Sequence, residues 1–171
     1  MTIRVLIIDD SEDDALLVVT HLRRGGIDLT YERAETMQAI AGALTARPPD
    51  IVICDYNMPG LSAQDALTAL RDSGLDASFI LVSGAVGEET AAAIMKAGAH
   101  DFILKDRLSR LVPAVERELR DAQVRRQRRG AEAGVDADAE GAHVMGALSA
   151  PDVQAEPPDE AAQGQRQSAN A

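Results

Sequence analysis

The sequence has no tryptophan, and its 171 residues include only four aromatic ones: Tyr31, Tyr56, Phe79 and Phe102. Since 46% of the chain is hydrophobic, a core can form, but aliphatic packing has to hold it. Cysteine occurs once, at Cys54. This excludes an intramolecular disulfide framework and makes a reducing cytoplasm the simplest setting. Cys54 closes the apolar run Ile51 to Cys54 and reads as a small core residue rather than a nucleophile. No apolar stretch approaches the roughly 20 residues of a membrane span. Met1 to Asp10 lacks the basic start of a signal peptide and runs straight into acids. No glycine-rich turn follows the first apolar run, and GAVGEE lies in the wrong place for a dinucleotide site. Bases are outnumbered 17 to 28, and the net charge of -11 argues against nucleic acid as the main partner.

The acidity is concentrated at one end. Residues 130–171 hold eight acids and one base, Arg166, so they carry -7 of the -11. They are rich in Ala, Gly, Gln and Pro and contain no aromatic residue or sustained apolar period. Such a segment buries too little surface to offset its ordering entropy, and a disordered tail is expected. The remaining 1–129 are expected to form one domain.

What is present is a repeat of short apolar runs and amphipathic segments. Ile3 to Ile8 reads as a central parallel strand. Ser11, followed by Asp14, starts a helix with Ala15, Val19 and Leu22 on one face, stopped by Gly25-Gly26. Leu29 to Arg33 alternates and reads as a strand nearer an edge. Thr36 caps a second helix, which ends before Pro48-Pro49. Ile51 to Cys54 is a third strand, and Ser62 caps a third helix. Phe79 to Val82 is a fourth strand, Glu88 to Ala97 a helix closed by Gly98, and Asp101 to Leu104 a fifth strand. A last helix runs from about Leu108, with Pro113 tolerated in its first turn. Five strands alternating with five helices in about 125 residues predict an open, doubly wound parallel sheet with helices on both faces. A closed barrel would need about twice that length.

In a parallel sheet the C-terminal strand ends share one edge. That edge collects Asp9 and Asp10, Asp55, Ser83 and Lys105. Clustered carboxylates repel one another unless a cation sits among them, and oxygen donors with an incomplete shell suit Mg²⁺. A lysine adds a point charge for a phosphoryl group, and an aspartate can itself be the nucleophile. Taken singly, the acid doublet also reads as a helix-start cluster, Ser83 as a turn residue and Lys105 as a solvated lysine. Their arrival at four separately predicted strand ends favours a common site.

In the order DD, DYNMPG, SGA and DFILK, residues 3 to 125 strongly resemble the receiver domain of bacterial two-component response regulators. The run from SGAVGEE to ERELRDA is most similar to receivers that stand alone or accompany sensor kinases. The resemblance implies a flavodoxin-like fold with strand order 2-1-3-4-5. It implies that Asp55 is the phosphoacceptor, supplied by a histidine kinase or histidine phosphotransfer protein. Asp10, Asp55 and the backbone carbonyl of Asn57 are then direct Mg²⁺ ligands, and Asp9 acts through water. Mn²⁺ is an acceptable substitute. Ser83 matches the switch hydroxyl, Phe102 the switch aromatic and Lys105 the phosphate-pairing lysine. Output is expected through a downstream protein partner at the face of helix four, strand five and helix five. Turnover is limited to self-phosphorylation and slow self-dephosphorylation, without the activity of an enzyme.

Two positions depart from the pattern. Receivers usually follow the lysine with a cis proline, whereas here Asp106 follows Lys105. A cis bond without proline costs about 2.5–4 kcal/mol, so a trans bond and a less tightly held lysine are expected. Phe102 lacks a tyrosine hydroxyl, so a switch there would act by packing alone. Two rivals remain: a pseudo-receiver that binds without phosphorylation, and an Asp-nucleophile phosphohydrolase. A Mg²⁺ titration separates the first. Against the second, Asn57 stands where such enzymes usually carry a second acid. Arg125, Arg126, Arg128 and Arg129 read as a solvated cluster favoured by the helix dipole at the end of the last helix.

Overall fold

The computed structural model describes residues 1–85 and 87–145, with side chains as far as 134. The strands are β1 (Ile3–Ile8), β2 (Leu29–Ala34), β3 (Ile51–Asp55), β4 (Ser78–Ser83) and β5 (Asp101–Leu104). They alternate with α1 (Glu12–Arg24), α2 (Met37–Ala46), α3 (Ala63–Asp72), α4 (Glu88–Ala97) and α5 (Leu111–Met145). Among the described residues the strands form one parallel sheet, as the alternation predicted, ordered β2-β1-β3-β4-β5, as the resemblance implied.

The three predicted side-chain caps form. Ser11, Thr36 and Ser62 accept the backbone N–H groups of Asp14, Ala39 and Asp65, so each helix start satisfies one of its free donors. At the other end of α4, Gly98 takes φ +115, a conformation that glycine reaches without steric cost. β2 lies at the edge and exposes Thr30, Tyr31 and Glu32, whereas β3 and β4 are buried throughout. This is why β2 tolerates polar residues while the central strands read as continuous apolar runs.

Side-chain alternation divides the core into two layers. Leu6, Ile8, Val52, Cys54, Phe79 and Leu81 face α2, α3 and α4. Val5, Ile7, Ile51, Ile53, Ile80, Val82 and Ile103 face α1 and α5. Phe79 is fully buried in the first layer, and the remaining core residues are almost all aliphatic.

The C-terminal part differs from expectation in three ways. The segment after β5 first forms a 3-10 turn, Lys105–Arg110, and α5 begins only at Leu111. The chain divides into units at 1–130 and 131–171, but α5 itself runs on to Met145. Composition alone missed those helical residues. Alanine is the best helix former, and five alanines fall in 131–145. The rest of the expected tail, 146–171, lies outside the described residues.

The arginines are the third difference. They stand mid-helix, so a terminal dipole cannot explain them. Arg125 instead donates to Asp76 at 3.0 Å and reaches Ser78 Oγ at 3.4 Å. Arg126 reaches Asp50 at 3.5 Å and Arg129 reaches Asp76 at 3.7 Å. These contacts fasten α5 to the edge of the sheet where β3 and β4 begin.

Candidate functional site

The same alternation builds the site. Along β1 the set Val5, Ile7 leads to Asp9; along β3, Ile51, Ile53 leads to Asp55; along β5, Ile103 leads to Lys105. All three therefore emerge at the carboxyl edge on the α1/α5 side of the sheet. Asp9 and Asp55 are 3% and 6% exposed, while Asp10 faces solvent. One carboxylate oxygen from each of Asp9, Asp10 and Asp55 lies within 4.8 Å of the others. The predicted acidic trio is thus brought together.

Asp9 is held from three directions. Its carboxylate accepts the Ser11 N–H at 2.9 Å, its own N–H donates to Ala34, and Arg33 donates to its carbonyl. Burial raises the Asp9 pKa; the Ser11 hydrogen bond opposes this, the Asp55 charge adds to it and Lys105 again opposes it. Two carboxylates and few donors in a partly dry site make this edge a cation-seeking one.

Lys105 Nζ lies 3.3 Å from Asp55 Oδ1 and 4.0 Å from Asp9 Oδ2. Asp55 Oδ1 nevertheless accepts no hydrogen bond, so the ammonium is near enough to pair with it but off the hydrogen-bonding direction. The closest partner of Lys105 is Asp14 Oδ2, at 2.6 Å. Burial pulls the lysine pKa down, but the hydrogen bond to Asp14 and the charges of Asp55 and Asp9 outweigh it, and the net shift is upward. Lys105 is therefore tied to Asp14, where a loosely held lysine was expected. Asp14 had been read only as a helix-start acid. The signal for its second role was available: α1 leaves from the carboxyl edge of β1, so its first turn lies beside the lysine. No cis peptide bond occurs among the described residues, so the Lys105–Asp106 bond is trans, as predicted.

Phe102 belongs to the other layer. Ser83 ends β4 one residue beyond Val82, the register partner of Asp55, and is fully buried. Its Oγ has no hydrogen-bond partner, an unusual state for a buried hydroxyl. Phe102 is half-buried against the α2–α4 layer. Asn57 is exposed just after β3, where Met58 and Leu61 bridge a tight turn. Gly60 takes φ +74 in that turn and follows Pro59, a residue pair that type II turns favour.

Cys54, beside Asp55, is buried and hydrogen-bonded to the Asp55 carbonyl. Burial, with the Asp55 and Asp9 charges added, pushes its thiol pKa far up. It is a core residue, not a nucleophile.

Comparison with known proteins agrees with this fold. The family model "Response regulator receiver domain" matches residues 5–116. The transcriptional regulatory protein PrrA of Mycobacterium tuberculosis is 33% identical over 123 residues, covering 68% of this chain and 50% of PrrA. A nitrate/nitrite response regulator protein homolog of Haemophilus influenzae is 29% identical over 113 residues, covering 61% and 50%. The chain spans about half the length of the curated relatives it matches. Among solved structures, NtrX from Brucella abortus superposes with a TM-score of 0.65 at 27% identity, covering 74% of this chain and 29% of NtrX. A response regulator receiver domain protein from Clostridium thermocellum gives 0.62 at 21% identity, covering 71% and 98%, and supports the fold alone.

Proposed function

The chain belongs to the response regulator receiver family of two-component signalling, and from that premise we propose that Asp55 is its phosphoacceptor. One observation carries the reading. Asp55 is a buried carboxylate at a strand end with one oxygen free of donors, a lysine 3.3 Å away and two further carboxylates within 4.8 Å.

Receiver domains bind Mg²⁺ at an acidic pocket, and the donor set here suits it: three carboxylates with one member exposed for access. Asp10, Asp55 and the Asn57 carbonyl would hold the ion, with Asp9 acting through water. When bound, it neutralises the carboxylates and the phosphoryl oxygens. An Asp55 carboxylate oxygen attacks phosphorus and forms an acyl phosphate. The bond from phosphorus to the donor breaks, and its electron pair leaves with the imidazole nitrogen of a phosphohistidine, which takes up a proton. The donor is a histidine kinase or a histidine phosphotransfer protein. Lys105 supplies charge to the new phosphoryl oxygens, and the partnerless Ser83 hydroxyl supplies a hydrogen bond.

The added charge biases the loop after β4 and the packing of Phe102, so that the face of α4, β5 and α5 favours one downstream protein over another. The Asn57 amide cannot serve as a general acid or base, which disfavours turnover of an external phosphate ester. The test is labelling by acetyl phosphate with and without Mg²⁺, followed by the loss of one phosphoryl mass in Asp55→Asn. Persistent Mg²⁺-dependent labelling of that variant on another residue would overturn the assignment.

A further inference from the structure

The shortest contact of Lys105 crosses to α1. Its ammonium donates to Asp14 Oδ2 at 2.6 Å, against 3.3 Å to Asp55 and 4.0 Å to Asp9. We propose that Asp14 is a positioning residue for phosphoryl transfer, anchoring the Lys105 ammonium beside Asp55. The inference rests on Asp55 being the phosphoacceptor and adds a residue that the acidic trio does not include.

The need for an anchor comes from the backbone. Lys105 opens a 3-10 turn in which no residue is proline, and the turn is broken at Arg107 by φ -125, ψ 37. Nothing in that segment fixes a long side chain whose four-carbon stem has many rotamers. Asp14 can fix it because it is itself fixed: its N–H donates to Ser11 Oγ in the cap of α1, and Ala15 behind it is buried. The face on which Asp9, Asp55 and Lys105 emerge is the one that α1 covers. Asp14 takes one of the three N–H donors of the ammonium, and the others remain for the phosphoryl oxygens.

Sequestration of Lys105 by Asp14 would be the opposite role, and it has the opposite sign. An anchor makes Asp14→Ala slow, because a catalytic charge misplaced by about 1 Å can cost up to a hundredfold. A sequestering acid makes Asp14→Ala fast.

The experiment measures labelling rates with acetyl phosphate at saturating Mg²⁺. For Asp14→Ala the maximal rate is expected to fall about tenfold, with half-saturation by donor and by Mg²⁺ little changed. Asp14→Glu, which restores the charge, should recover most of the loss. A second readout does not depend on phosphorylation. The chain has only two lysines, Lys96 and Lys105, so ¹⁵N-lysine labelling gives two ammonium signals, assigned with Lys105→Arg. The slowly exchanging Lys105 signal should survive in Asp55→Asn and vanish in Asp14→Ala. A rate in Asp14→Ala equal to or above that of the parent overturns the anchor and leaves Asp55 as phosphoacceptor. An ammonium signal unchanged by Asp14→Ala overturns it whatever the labelling shows. Labelling that survives in Asp55→Asn removes the phosphoacceptor reading, and the role of Asp14 in transfer falls with it.

Discussion

His100 and Phe79 bond each other twice: the Phe79 N–H donates to His100 Nδ1 at 3.0 Å, and the His100 N–H donates to the Phe79 carbonyl at 2.8 Å. The pair ties the turn after α4 to the start of β4, the strand that ends at Ser83. Acceptance at Nδ1 requires a neutral ring with its proton on Nε2.

Stability should therefore fall with acid. Burial lowers the His100 pKa from 6.5, with Glu118 opposing, Arg125 adding to the shift and Asp76 opposing. The unfolded chain takes up this proton near pH 6.5 and the folded chain only at lower pH, so between the two values protons favour unfolding. The contribution is intact above pH 6.5 and is lost as the pH falls towards and through the folded value. Urea midpoints measured from about pH 7.5 down to about pH 5 should drop more steeply for the parent than for His100→Ala. That variant starts lower, by about 1–3 kcal/mol, because the Phe79 amide loses its partner. Parallel profiles would show that His100 is not the titrating group.

Gly25 is needed for space, not for its backbone angle. Its φ is an ordinary -77, but a Cβ placed there would lie 2.4 Å from Val112 Cγ2. The end of α1 and the first turn of α5 touch at this point. Gly25→Ala should destabilise by about 1–3 kcal/mol through overpacking. Adding Val112→Ala should recover part of the loss in chemical denaturation, which a purely conformational effect of alanine would not allow.

Cys54 should be silent in the native protein. It is fully buried, and its thiol pKa lies far above the ordinary range. A thiol reagent at neutral pH should modify the native chain only at its unfolding-limited rate, and one equivalent rapidly in denaturant. Fast modification without denaturant would mean that the sheet opens beside Asp55.

The sheet was legible because each central strand is a continuous apolar run between caps and glycines, and parallel strands need little else to be recognised. The trio Asp9, Asp10 and Asp55 followed, since strand direction alone brings those ends together. Asp14 was not legible as a partner of Lys105. Its position at the third residue after Ser11 already had a sufficient local explanation, and ion pairs 91 residues apart leave no periodic trace. The arginines were misread for a related reason. Their neighbours, Asp50 and Asp76, precede strands in a distant part of the sequence, and the alanine-rich helix beyond 130 looked like a tail.

Where the folded unit ends can be tested by cutting α5 at two places. Residues 1–130 contain both core layers and every residue assigned to the site. Ending the chain after Gly130 should leave acetyl phosphate labelling unchanged and shift the thermal midpoint by no more than about 2 °C, the effect of a few tenths of a kcal/mol. Ending it after Val124 removes Arg125, whose donation at 3.0 Å meets an Asp76 side chain only 16% exposed. It also removes the longer contacts of Arg126 and Arg129. A carboxylate left largely buried without its partner should cost about 1–3 kcal/mol, several degrees in a domain of this size. Arg125→Ala in the full chain should reproduce most of that loss, because the exposed pairs of Arg126 and Arg129 contribute little. If both cuts behave alike, the arginines do not fasten α5 to the sheet edge; if the cut after Gly130 unfolds the chain, residues beyond 130 support the domain.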